Sequence, residues 1–80
     1  MKRYINISVQ INKQKIIDVR VPRYITIKKM LELLGEAYAL PIIINNPVVR
    51  IEQNNYVLRA FDTLKTHHIN DGSFLKVERL

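Results

Sequence analysis

The side chains best equipped for chemistry are few and poorly placed for it. His67 and His68 are the only histidines, and the carboxylates nearest to them in the chain are Asp62 and Asp71. Adjacent side chains diverge and seldom converge on one ion, and this spacing matches no ligand motif, so no metal site is expected. The chain has no cysteine. That removes thiol nucleophiles, thiolate zinc sites, disulfides and redox motifs together. No Ser-His-acid arrangement, Gly-rich phosphate loop or paired-carboxylate constellation stands out. The pattern points away from catalysis and from any cofactor, and toward recognition by a surface.

Charge is the strongest compositional signal. Thirteen Lys and Arg against seven Asp and Glu give +6 in 80 residues. Such a balance favours an acidic partner, a nucleic acid or an anionic membrane surface. Two of the cations, Lys28 and Lys29, fall in the first turn of a predicted helix, where the dipole disfavours them by about 0.3 kcal/mol or more. An acidic group or phosphate would compensate, although two long hydrated side chains need no partner. The run Ile42-Ile43-Ile44 is apolar between predicted elements, and its three side chains do not easily share one core. Ile42 and Ile43 are therefore candidate contact anchors, with a short core strand as the alternative. The four tyrosines are scattered, which suits core and edge positions better than a platform for stacked bases.

Eighty residues suffice for one small domain (residues 1–80), burying roughly 60% of its unfolded surface. An apolar fraction of 48% is enough for an ordinary core. From Arg3 to Ile11, Ile5, Ile7, Val9 and Ile11 alternate with Tyr4, Asn6, Ser8 and Gln10, the period of a half-buried strand. The same stretch lacks the continuous apolar core of about 7–15 residues that a secretion signal needs. No apolar run is long enough to span a bilayer, so a cytoplasmic domain is expected.

After the polar Asn12-Lys13-Gln14, the residues Ile17, Val19 and Val21 alternate with Asp18 and Arg20 and complete a hairpin. Pro22 ends that strand and Thr26 suits a helix N-cap. Ile27, Met30, Leu31, Leu34 and Tyr38 form one helical stripe that should lie across the sheet. Gly35 interrupts it, for close packing or for an early end. Pro41 stops the helix, Val49 and Ile51 mark a third strand, and Tyr56-Val57-Leu58 a short edge strand. A 3₁₀ turn is expected between Asp62 and His68, a tight turn at Asp71-Gly72, and a last strand from Phe74 to Leu80.

This ββαβ(β)β order, with one helix across a mixed sheet, is an α+β arrangement of the β-grasp type. Asp62-Thr63-Leu64, then Ile69-Asn70-Asp71-Gly72 and Leu75-Lys76-Val77, resembles the ubiquitin-like signature in which a buried Leu and Ile precede the final strand. The helix start Tyr24-Ile25-Thr26-Ile27-Lys28-Lys29-Met30-Leu31 further resembles the ubiquitin-like proteins of Gram-positive type VII secretion, the YukD and EsaB family, over essentially the whole chain. Thr26 stands where that family often has Pro, and both residues suit a helix start.

The resemblance implies a cytoplasmic accessory component for export of small helical-hairpin substrates. Its implied partner is a cytoplasmic domain of a membrane-bound secretion component, which would hold it at the inner face of the membrane. No insertion into the bilayer is expected. Ubiquitin and sulfur carriers act through a flexible tail ending in Gly-Gly. This chain reads Val77-Glu78-Arg79-Leu80 instead, so conjugation is not expected. Matched strand by strand, Arg50, Lys76 and Glu78 stand where ubiquitin carries its apolar docking patch. Arg50 and Lys76, with Arg20 nearby, are the expected cations of a partner surface, and a solvated sheet face is the plainer reading. The rival from another class is a small basic nucleic-acid-binding protein. Against it, Asp18, Glu52 and Glu78 are interspersed among the cations and no RNA-binding motif is present.

Overall fold

The computed structural model describes residues 3–67 and 69–80, without the side chains of Thr66 and His67. Its elements are β1 (Tyr4–Asn12), β2 (Lys15–Pro22), α1 (Ile27–Ala37), β3 (Val48–Ile51), β4 (Val57–Arg59), a 3₁₀ turn (Leu64–His67) and β5 (Ser73–Arg79). The strands form one sheet in the order β2-β1-β5-β3-β4. β1 and β5 run parallel and the other neighbours antiparallel. A five-stranded mixed sheet with one helix packed on it is the β-grasp arrangement expected from the sequence. The expected elements recur within a residue or two, including the short edge strand β4 and the 3₁₀ turn.

The alternation in β1 translates directly into burial. Ile5, Ile7, Val9 and Ile11 are buried while Tyr4, Asn6 and Asn12 are exposed, because successive side chains of a strand point to opposite faces. Ile27, Met30, Leu31 and Leu34 of α1 meet them, joined by Val49, Ile51, Leu58, Leu64, Ile69 and Leu75. The β1–β2 loop is Lys13-Gln14, and neither residue has positive φ. A turn without left-handed residues splays the strands, and the register irregularity between Gln10 and Asn12 restores the twist.

Both ends of α1 are closed by identifiable partners. Thr26 Oγ1 accepts from the Lys29 N–H at 3.1 Å, a standard N-cap. The N–H groups of Ile27 and Lys28 donate to the carbonyls of Asp62 and Ala60, both at 2.9 Å. At the other end the Leu40 N–H reaches Gly35 O at 2.9 Å and the Ala39 N–H reaches Glu36 O at 3.3 Å. These are the two bonds of a Schellman motif, with Ala39 at φ 51° in the left-handed position usually held by Gly. A Cβ there is strained by about 1–2 kcal/mol. Ala39→Gly should therefore stabilise the domain by about 0.5–1 kcal/mol, once the added unfolded-state entropy of Gly is subtracted. Thermal unfolding checks this as a rise of roughly 2–8 °C in Tm.

Two details differ from, or decide between, the expectations. Tyr38 is not on the buried stripe. It is the C-cap, at φ −109°, and its side chain is 44% exposed. The chain has left the helical path by that residue, so the i+11 position no longer faces the sheet. At Gly35 the helix continues two residues further, and a Cβ would stand 3.3 Å from Ile42 Cγ1. Close packing, not helix termination, is what the Gly serves.

Candidate docking face

The sheet face opposite α1 is open to solvent. Its central row is set by strand register: Ile16 of β2 lies opposite Gln10 of β1, Gln10 opposite Lys76 of β5, Lys76 opposite Arg50 of β3, and Arg50 opposite Val57 of β4. Val9, Leu75, Val49 and Ile51, the sequence neighbours of these central residues, are buried. Period-two alternation therefore directs Gln10, Lys76 and Arg50 outward. The row has exposed aliphatic ends, Ile16 and Val57, and a polar, cationic middle.

The expected residues are brought together only in part. Lys76, Arg50 and Glu78 do share the face, but Arg50 is not a free cation. Its Nε donates to Glu78 Oε1 at 2.8 Å, and Nη2 stands 3.8 Å from Glu52 Oε1. The three side chains are 32–39% exposed, where one such pair contributes up to about 1 kcal/mol. Two carboxylates offset the guanidinium charge and hold it in one orientation. Lys76 is half-buried and has no ion pair among the described residues, so it supplies the unmatched positive charge of the row.

Arg20 does not join this group. It lies on β2, two strands from β5, and its β1 neighbour is Asn6, whereas that of Lys76 is Gln10. Strand rise and spacing then separate the two Cα atoms by roughly 16 Å. Arg20 instead covers the Tyr4 ring, with Cζ 5.3 Å from its centroid. Asp18 on the same strand accepts from Ser8 Oγ at 2.6 Å. Arg20 and Lys76 thus belong to opposite ends of the face.

The other candidates also divide. Lys28 is half-buried and Lys29 exposed, but the backbone N–H groups from Ile27 to Met30 are all used, by Asp62 O, Ala60 O, Thr26 Oγ1 and Thr26 O. A phosphate at this helix start would find side-chain cations and no spare backbone donor. Ile42 packs against the core and Ile43 is 79% exposed, so only Ile43 can serve as an anchor. His68 and the His67 side chain lie outside the described residues.

Sequence reading missed Glu52, Ile16 and Val57 as parts of the face. The i, i+2 relation of Arg50 and Glu52 was available to it. The cross-sheet neighbours were not, because register is non-local. Phe61, 79% exposed on the turn before the 3₁₀ segment, left no periodic signal.

The chain matches no protein-family model and no curated protein. Among the described residues no helix is long and apolar enough to cross a membrane. The row offers a solvent-facing surface with a braced guanidinium, an ammonium unpaired among the described residues and aliphatic ends.

Proposed function

We propose that this protein is a non-covalent docking module with no catalytic activity, acting as a cytoplasmic accessory component of a type VII secretion system through the outer face of its sheet. The observation that carries the reading is the Lys76–Arg50 row, braced by Glu78 and Glu52 on a β-grasp sheet at the position where ubiquitin carries its docking patch. The resemblance of the helix start and of the Asp62 to Val77 segment to the YukD and EsaB family supports the secretion role. The +6 charge supports an acidic counterpart, which fits a cytoplasmic domain of a membrane-bound secretion component.

Fixed charge positions act mainly on specificity and encounter rate, and reversing them adds repulsion. For the double variant Arg50→Glu/Lys76→Glu, affinity for the purified cytoplasmic domain of the secretion ATPase should fall by about tenfold, or 1.4 kcal/mol. Circular dichroism should show the fold retained, because neither residue belongs to the buried core. Unchanged affinity with an intact fold sinks the reading. Binding to single-stranded nucleic acid that falls steeply with salt would transfer the charge to the rival function.

A further inference from the structure

The turn between β4 and the 3₁₀ segment carries an aromatic ring where turns usually carry small polar residues. Arg59 to Asp62 is closed by the Asp62 N–H on Arg59 O at 3.1 Å and by the Arg59 N–H on Asp62 Oδ2 at 2.7 Å. Two further bonds fix it to α1, from the Lys28 N–H to Ala60 O and from the Ile27 N–H to Asp62 O. Phe61 is the third residue of this turn, and its side chain is 79% exposed. Gly, Asn, Asp and Ser are the usual choices there, and a phenyl ring held in water by a braced turn adds nothing to the core.

Cations surround the ring. Lys28 stands beside the turn through its bond to Ala60, Arg59 opens the turn, and Lys65 lies just past the bridge between Thr63 and Thr26. Arg59 and Lys65 are exposed and Lys28 is half-buried. Lys65 Nζ is 4.8 Å from the ring centroid of Tyr24, a second exposed aromatic side chain. None of the three cations has an ion pair among the described residues. The carboxylates in this neighbourhood are Asp62, which accepts from the Arg59 N–H, and Glu32, one helical turn beyond Lys28.

These surroundings select among occupants. A discrete phosphate needs convergent donors, and the backbone N–H groups at this corner are already bonded to Asp62 O, Ala60 O and Thr26. Stacked bases need open ring faces, and Lys65 covers one face of Tyr24. An aromatic tip ringed by long, separate cations instead fits a plane of laterally mobile anionic headgroups. There the ring enters the headgroup layer and each Lys or Arg adds its attraction independently.

We infer that the Phe61 turn is a peripheral contact for an anionic lipid surface, with Phe61 at headgroup depth and Lys28, Arg59 and Lys65 against the lipid phosphates. The contact inserts one ring and spans nothing. It goes beyond the proposed docking function and uses a different surface, so separate substitutions test the two and either can fail alone.

The probe is unilamellar vesicles of phosphatidylglycerol and phosphatidylcholine in roughly a 3:7 ratio, at about 0.1 M salt. The full chain should cosediment half-maximally at about 1 mM lipid, and at least about tenfold more weakly with phosphatidylcholine alone. Phe61→Ser should weaken binding about threefold or more, and Lys28→Glu/Lys65→Glu about tenfold. Lys13→Glu/Lys15→Glu makes the same charge change on exposed residues at the other end of β2 from α1. Separated by more than a Debye length, it should alter binding by less than about twofold. The chain has no tryptophan, so Phe61→Trp reports the position of the tip. Its emission should move to shorter wavelength on the mixed vesicles and be quenched by brominated lipid. The inference is overturned by no cosedimentation at about 10 mM lipid, by equal binding to the neutral vesicles, by an equal loss in the Lys13/Lys15 variant, or by unmoved emission. It is equally overturned if a single-stranded oligonucleotide displaces the vesicles and shifts the same emission, which would assign the turn to nucleic acid.

Discussion

Leu64→Ala is expected to destabilise the domain by about 3 kcal/mol and to lower Tm by roughly 12–24 °C. Leu64 has no accessible surface, although it sits on a four-residue 3₁₀ turn and not in a long element. Its neighbourhood is rigid: Thr63 bridges to Thr26, and the preceding loop caps α1 through Ala60 and Asp62. Walls held in this way cannot collapse into the space a truncated side chain leaves, so the cavity term adds to the lost transfer energy. A domain of this size has a total stability of roughly 4–12 kcal/mol. The substitution should therefore remove a large share of it, and urea unfolding measures that as a shift in midpoint at constant slope. Ile43→Ala, at a side chain 79% exposed, should stay within about 0.5 kcal/mol of wild type. A Leu64→Ala loss below about 1 kcal/mol would mean that the 3₁₀ turn does not close the core.

Asp71→Ala should cost about 1.5–2 kcal/mol. Asp71 Oδ1 accepts from the Asn6 N–H at 2.8 Å, and the Gly72 N–H donates to Asn6 O, also at 2.8 Å. Both backbone polar groups of Asn6 are thereby joined to the turn that launches β5 alongside β1. Gly72 holds φ 87° there, a conformation that L side chains seldom adopt. A hydrogen bond to a charged acceptor contributes about 1.5–3 kcal/mol, and partial exposure puts this one toward the lower end. The parallel β1–β5 pairing closes over sixty-five residues of chain, which no local hairpin can replace. Besides the stability loss, exchange of the Asn6 amide should accelerate. Unchanged protection of that amide would show that the ladder alone holds the junction.

The segment from Asp62 to Val77 that carries the ubiquitin-like resemblance now has a physical reading. Leu64 and Ile69 close the core beneath the chain, Asp71 and Gly72 start the parallel strand, and Leu75 completes the sheet interior. Further along, the Asn45 and Asn46 N–H groups donate to Leu80 O at 2.7 and 2.9 Å, tying the end of the last strand to the loop before β3.

Much of the architecture was legible because burial has a short period. Alternation marked β1 and β2, the 3.6-residue stripe marked α1, and Thr26, Pro22 and Pro41 punctuated them, since capping and proline geometry act within a few residues. Tyr38 was misread for the same reason. A stripe extrapolates beyond the helix unless its end is known, and that end depends on Ala39 adopting a left-handed conformation that alanine does not advertise. Gly35 was ambiguous until Ile42 could be placed against it.

The residue types of the proposed docking face were written in the sequence by itself: a chain without thiols and rich in cations, whose sheet would have one apolar and one polar face. Only the tertiary structure decided which of those charges act together. Register put Arg50 opposite Lys76 and within reach of Glu78, twenty-eight residues along the chain, and sent Arg20 to the far end of the face. Strand order left β2 as the long open edge beside α1. Side-chain alternation is a property of neighbours in sequence, whereas charge pairing and edge exposure depend on which strands lie side by side, and distant hydrophobic contacts settle that.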